Sequence, residues 1–197
     1  MDHDHLNLLP VPSQAFFFDG FFGEELSAQY FEQLSANVPW KQEPIKIFGK
    51  TVLQPRFTAF YGEEGVSYSY SGITMNALPW TPELAEIRSA IQQKTAHQFN
   101  ACLLNFYRDG SDSMGWHRDN ERNLGPYPTI ASVSFGAHRT FQFRRYVEKL
   151  PVVSLDLTSG SLLLMKGETQ HLWEHRLPKT TMPIGPRINL TFRLIHP

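Results

Sequence analysis

The chain reads as a mainly β protein of the α+β class, with a β-sandwich or jelly-roll core preceded by helices and hairpins. Two observations predict this. From residue 101 onward, at least six short segments rich in β-branched, aromatic and aliphatic residues follow closely on one another, separated by Gly, Pro and charged connections. Ahead of them lie two stretches of helical periodicity with paired extended pieces between them. A length of 197 residues suits one domain with a sizeable core, and no repeat, low-complexity tract or linker divides it, so 1–197 is expected to be a single domain.

Taken in order, residues 1–14 are polar and Pro-containing and are expected to form a loose lead-in, with His3 and His5 alternating with acids. The aromatic run Phe16-Phe17-Phe18 ends at Asp19-Gly20. From Gly23 to Ala36, Leu26, Tyr30, Phe31 and Leu34 recur at helical spacing behind the acids Glu24 and Glu25, and Pro39 ends the pattern. Residues 41–72 read as hairpins. Lys46-Ile47-Phe48-Gly49-Lys50 predicts a tight turn between extended segments, Pro55-Arg56 leads into a short strand over 57–62, and Val66 to Gly72 alternates so that Tyr68 and Tyr70 share a face. Thr81-Pro82-Glu83 starts a helix, with Thr as cap and Pro in the first turn, and Leu84, Ile87 and Ile91 carry it to about Gln98.

The core is expected over about 100–195. Its strands are Ala101–Tyr107, where Leu103, Asn105 and Tyr107 share a face, then Ile130–Gly136, Thr140–Arg145, Val152–Leu157, Ser161–Met165 and Arg187–Ile195. The two helices are expected to cover one sheet.

Bulk composition excludes several classes. A net charge of −1 gives no global case for a nucleic-acid or membrane partner, so any such binding must come from local basic clusters. The single Cys102 excludes an intrachain disulfide framework and suits a reducing compartment. No apolar run approaches the roughly 20 residues that span a bilayer, and the N-terminus lacks a signal-peptide pattern. A soluble cytoplasmic protein, nuclear if the source is eukaryotic, is the expectation.

His117 and Asp119 stand two apart, and side chains at i and i+2 of an extended segment point the same way. An imidazole and a carboxylate on one face form part of a metal site, and a second His would complete the facial triad of non-haem Fe(II) oxygenases. His171 and His175, flanking Leu172-Trp173-Glu174, are the candidates, and spacing leaves both open. In the last strand Arg187, Asn189, Thr191 and Arg193 occupy one face and Ile188, Leu190, Phe192 and Leu194 the other. Either the polar face meets water, or it lines a cavity that holds a small dianion, for which arginine's planar fork is suited. Asn105 and Tyr107 would add neutral hydrogen bonds to the same ligand.

The order Asn105-Phe106-Tyr107, Met114-Gly115-Trp116-His117-Arg118-Asp119, His175 and Arg187-Ile188-Asn189-Leu190-Thr191-Phe192-Arg193 resembles the AlkB family of Fe(II)/2-oxoglutarate-dependent nucleic-acid dealkylases over roughly residues 45–195. The resemblance implies a double-stranded β-helix core, iron at His117, Asp119 and His175 (rather than His171), and 2-oxoglutarate at Asn105, Tyr107, Arg187, Asn189 and Arg193, with Arg187 on its distal carboxylate. Phe48-Gly49-Lys50, Pro55-Arg56, Tyr61-Gly62, Tyr68 to Gly72 and Ile130 to Gly136 look most like the duplex-DNA-repairing branch typified by the second human AlkB homologue.

That likeness implies oxidative demethylation of 1-methyladenine and 3-methylcytosine in DNA by a monomer, with RNA demethylation or protein hydroxylation as the alternative using the same chemistry. Phe48 would fill the gap left by a flipped base and Tyr70 would sandwich that base against an iron-ligand His. Arg56, Tyr68, Ser71, Asn120 and Glu121 complete the implied substrate set, Asn120 standing where the branch has an acid. Flipping costs a few kcal/mol, partly recovered by an apolar wedge and by base–aromatic stacking. Lys46, Lys50, Arg118, Arg122, Arg144 and Arg145 are candidates for phosphate contacts.

Overall fold

A computed structural model of the protein describes residues 6–47, 50–70 and 72–196. In chain order its elements are β1 (Ser13–Phe18), α1 (Glu24–Asn37), β2 (Pro44–Ile47), β3 (Lys50–Leu53), β4 (Phe57–Gly62), β5 (Ser67–Tyr70), β6 (Ile73–Asn76) and α2 (Pro82–Thr95). The core follows with β7 (Ala101–Tyr107), β8 (Met114–His117), β9 (Ile130–Gly136), β10 (Arg139–Arg145), β11 (Val153–Leu157), β12 (Leu162–Gly167), α3 (Thr169–Leu172), β13 (Trp173–Leu177) and β14 (Arg187–Arg193).

The strands form a six-stranded sheet, β1-β12-β9-β14-β7-β4, and a four-stranded sheet, β11-β10-β13-β8. Neighbouring strands in both are antiparallel. From β7 the chain passes repeatedly between them: β8 is in the small sheet, β9 in the large, β10 and β11 in the small, β12 in the large, β13 in the small and β14 in the large. That winding is the double-stranded β-helix, and it brings segments far apart in sequence face to face. The hairpins β2-β3 and β5-β6 stand outside the two sheets.

Period-two patterning divides the residues of the large sheet between two environments. Ile188, Leu190 and Phe192 of β14, with Leu104 of β7 and Val133 and Phe135 of β9, pack with Tyr30 and Leu34 of α1 and Leu84, Ile87 and Ile91 of α2. Each fully buried aliphatic or aromatic side chain contributes about 1.5–3 kcal/mol, so this layer fixes which face of β14 looks outward. The alternate residues Arg187, Asn189, Thr191 and Arg193 are thereby turned into the space between the sheets, and all four are buried. Tyr107, Phe143, Leu163, Trp173 and Leu177 form a second apolar cluster there.

Helix α2 starts as its sequence requires: the Thr81 hydroxyl accepts from the Leu84 N–H at 3.3 Å, with Pro82 in the first turn. It stops at Thr95, short of Gln98, because Ala96 turns left-handed (φ 57°) and the Gln92 side chain captures the Phe99 N–H at 2.9 Å, steering the chain into β7. Residues 6–14 of the lead-in are also more ordered than expected. Asn7 donates to the Ser13 carbonyl and accepts from the Ala15 N–H, both at 2.8 Å, Leu9 is buried, and the aromatic run becomes β1, paired along its length with β12. No helix among the described residues is long and apolar enough to cross a membrane.

Candidate active site

The small sheet places two histidines side by side. β8 and β13 pair with His117 directly opposite His175, and their ring centroids lie 4.2 Å apart. Asp119 follows two residues after His117, and one donor atom from each of the three lies within 4.8 Å of the others. His171 is not part of this group: its ring meets Tyr127 and the Pro126 carbonyl. Of the pair that spacing left open, His175 is the one that lies in this group.

Two members are held from behind by hydrogen bonds, while His175 stacks on Phe141 and its buried Nδ1 has no hydrogen-bond partner among the described residues. His117 Nδ1 sits 2.9 Å from the Gly115 carbonyl, which leaves Nε2 for a metal. The Asp119 N–H donates to Gln170 Oε1 at 2.9 Å, and its carboxylate accepts from Arg193 at 2.9 Å. Burial alone raises the Asp119 pKa, but the charges of Arg193, His175 and His117 overcome it and hold the carboxyl at about 2. Burial lowers His117, and burial with the neighbouring His117 and Arg193 charges brings His175 down to about 3. At neutral pH the set is two neutral imidazoles and one carboxylate, the donor set that suits Fe(II) with coordination positions left open.

On the inner side of this group a cavity of about 50 Å³ is lined by Asn105, Tyr107, Ser132, Arg187, Asn189 and Thr191 among others. Register explains the grouping, since Asn105 lies opposite Asn189 and Tyr107 opposite Arg187. Arg187 donates to the Ser134 hydroxyl at 2.9 Å and lies over the Tyr107 ring, while its buried Nε has no partner. Burial and, more weakly, the like charge of Arg139 lower the Arg187 pKa to about 10. Among the described residues no ion pair involves it. A desolvated guanidinium without a carboxylate is costly, so this cavity fits an anionic ligand. Asn189 is fixed by the Ser132 hydroxyl at 2.8 Å and the Val133 carbonyl, and Asn105 accepts from Arg56 at 2.8 Å.

Arg193, expected beside the co-substrate, spends one nitrogen on Asp119 and lines both the inner cavity and an outer groove. That groove, about 480 Å³, is bordered by Arg56, Tyr68, Trp116, Arg118 and Glu121 and shares Leu103, Met114, His117 and Asp119 with the inner cavity. Tyr68 is 2% exposed, stacks on Phe60, donates its hydroxyl to Glu121 at 2.9 Å and receives Arg193 over its ring. Burial raises its pKa above the usual phenol value. Asn120 is exposed. Phe48 and Ser71, and the side chain of Tyr70, lie outside the described residues.

Three groups escaped the sequence reading. Ser132 and Ser134 alternate with Ala131, Val133 and Phe135, a pattern that marks an inward polar face. Arg139 is buried and donates to three carbonyls, Asp109, Asp112 and Pro178, in the loops beside Tyr107. Gln170 has no sequence signal, because its role arises only where α3 meets the end of β8.

A jelly roll with a His/Asp/His set between a cation-lined cavity and an open groove defines an Fe(II)/2-oxoglutarate oxygenase. The profile of the 2OG-Fe(II) oxygenase superfamily matches residues 14–193. The chain is 44% identical to the mouse alpha-ketoglutarate-dependent dioxygenase alkB homolog 3, over 94% of this chain and 67% of that protein. It is 41% identical to the human DNA oxidative demethylase ALKBH2, over 88% of this chain and 70% of that protein. The solved structure of OsALKBH1 shares the fold, with a TM-score of 0.66 at 18% identity, covering 94% of this chain and 99% of that one. The chain belongs to the AlkB family of 2OG-Fe(II) oxygenases, and its cofactors are Fe(II) and 2-oxoglutarate.

Proposed function

We propose that the chain oxidatively demethylates N-alkylated bases in DNA, with 1-methyladenine and 3-methylcytosine as substrates. The observation that carries the reading is the continuity of the His117–Asp119–His175 group with a receptor for a dianion on one side and an open groove on the other. The relatives named as DNA oxidative demethylases support the choice of DNA.

In this reading His117, Asp119 and His175 hold iron. Arg187 takes the distal carboxylate of 2-oxoglutarate, and Asn105, Tyr107, Asn189 and Arg193 hold the rest of that co-substrate. Bound Fe(II) supplies the chemistry by which O₂ oxidises 2-oxoglutarate to succinate and CO₂ while one oxygen atom enters the N-methyl C–H bond. The resulting N-hydroxymethyl group breaks at the C–N bond, its electron pair returning to the ring nitrogen while the hydroxyl proton is lost to solvent and formaldehyde is released. The chain's own groups orient and exclude. Arg193 keeps Asp119 ionised, Gln170 fixes its backbone, Tyr68 and Glu121 form one wall for the base, and Arg56 holds Asn105. Phe48 as wedge and Tyr70 as stacking partner, with Ser71 and Asn120 at the base edge, complete the substrate set. One chain supplies every member of the site, and we take the working unit to be a monomer.

Oligonucleotides carrying 1-methyladenine or 3-methylcytosine, single-stranded and duplex, test this by formaldehyde release. Release that depends on both iron and 2-oxoglutarate is expected. Its absence from both DNA forms, with release from methylated RNA, would move the substrate to RNA.

A further inference from the structure

The outward face of the small sheet carries guanidinium and aromatic groups that the reaction does not use. β8 contributes Trp116, β10 contributes Gln142 and Arg144, and β13 contributes Glu174 and Arg176. Arg144 and Arg176 both lie over the Trp116 ring, 4.4 and 4.5 Å from its centroid. Their far ends are fixed as well, Arg144 by Glu174 at 2.7 Å and Arg176 by Gln142 at 2.8 Å. Just beyond β8, Arg118 lies 3.7 Å over the ring of Tyr146, itself half exposed. Among the described residues, Arg144 has a carboxylate partner, while no ion pair involves Arg118 or Arg176.

A guanidinium held over an aromatic ring keeps its charge and loses little further rotamer freedom when its N–H edge meets an anion. Such a strip therefore favours a charged, repeating ligand. Its position says which. Trp116 and Arg118 flank His117 in sequence and also border the outer groove, so strip and groove form one continuous surface. A ligand that occupies both is a polymer, with one unit in the groove and the charges of its neighbours on the strip.

We propose that Arg118, Arg144 and Arg176, pre-positioned on Tyr146 and Trp116, seat the phosphodiester backbone flanking the extruded base in single-stranded nucleic acid. This rests on the nucleic-acid reading above. It assigns the chain's affinity for its substrate to a strip of the catalytic sheet itself, in addition to any contribution from the hairpins.

The test is fluorescence anisotropy of a labelled, unmodified single-stranded oligonucleotide across a salt series, using the full chain and the variants Arg176→Gln, Arg118→Gln and Trp116→Leu. The slope of log K against log salt should fall by about 0.7 for each arginine removed. Trp116→Leu, which unstacks two arginines, should weaken binding without removing a charge. KM for a methylated oligonucleotide should rise in each variant, and in Arg176→Gln, which lies outside the groove lining, kcat should stay near wild type. A shift in melting temperature on adding 2-oxoglutarate with Mn(II) shows that each variant is folded, and Lys94→Gln on α2 serves as a remote charge control. Unchanged slopes and KM in folded variants would overturn the strip while leaving the demethylase reading intact. If the wild type itself releases no formaldehyde from any methylated oligonucleotide, it is the demethylase reading that fails.

Discussion

Arg193 donates to the carboxylate of Asp119 at 2.9 Å with both groups buried, so the cation at the end of β14 is tied to the metal-binding acid just beyond β8. The same guanidinium covers the Tyr68 ring. One residue therefore touches the metal group, the inner cavity and the outer groove.

Arg193→Gln should destabilise the fold by about 3–5 kcal/mol, because Asp119 would remain as an unpaired buried charge. The Asp119 pKa would rise, and Mn(II) affinity, read by titration calorimetry, should drop at neutral pH. Unchanged affinity would mean that Arg193 does not support Asp119.

Gln170→Leu keeps the volume of the side chain but removes the acceptor for the Asp119 N–H. Groups that orient metal ligands in this way are worth about 10–100-fold in metal affinity or activity. A loss of that size in Mn(II) binding is expected, with the KM for 2-oxoglutarate near wild type at saturating metal.

Arg187→Gln leaves the His/Asp/His group untouched and removes the buried cation of the inner cavity. The KM for 2-oxoglutarate should rise at least tenfold, in line with the 1.5–3 kcal/mol of a hydrogen bond to a charged group, while Mn(II) affinity holds. Equal loss of both would point to a collapsed cavity.

Asp112 is buried and accepts three hydrogen bonds from Arg108, through its backbone N–H, Nε and Nη2, at 2.7–2.9 Å. Burial acts to raise its pKa, but these bonds and the Arg108 charge leave it below the ordinary carboxylate value. The depressed value means that the unfolded chain takes up the proton first. The stabilisation is thus complete above the unfolded pKa of about 3.9 and fades as pH falls through the lower folded value. Melting temperatures should show this acid loss in the wild type and a shallower one in Asp112→Asn, which should also be less stable near pH 7.

Much of the fold was legible because local chemistry and global packing agree. Thr81-Pro82 announces α2, and the alternation of β14 announces a strand with one apolar face. Alternation alone could not say whether Arg187 to Arg193 met water or a cavity, since both give the same period. The answer depends on α1 and α2 covering the opposite face, a contact made at long range. β8 was legible only as an extended segment around His117, and the bounds of β8 and β13 were not: each is short, and β8 is interrupted by Gly115 and followed by a charged run. Their pairing is nonetheless what puts His175, and not His171, opposite His117. In the lead-in, Asn7 looked like loop composition and works as a clasp for β1.

Among the described residues β8 is the outermost strand of its sheet, paired with β13 alone. His117 sits at the end of that strand and His175 on its neighbour, so a metal ion shared between them acts as a rivet at an open seam. Riveting the seam also braces Trp116 and Arg118, which border the outer groove. On the nucleic-acid reading, metal loading and strand affinity then share one coupling free energy, and by reciprocity a bound strand tightens the equilibrium binding of iron by the same factor as iron tightens the strand.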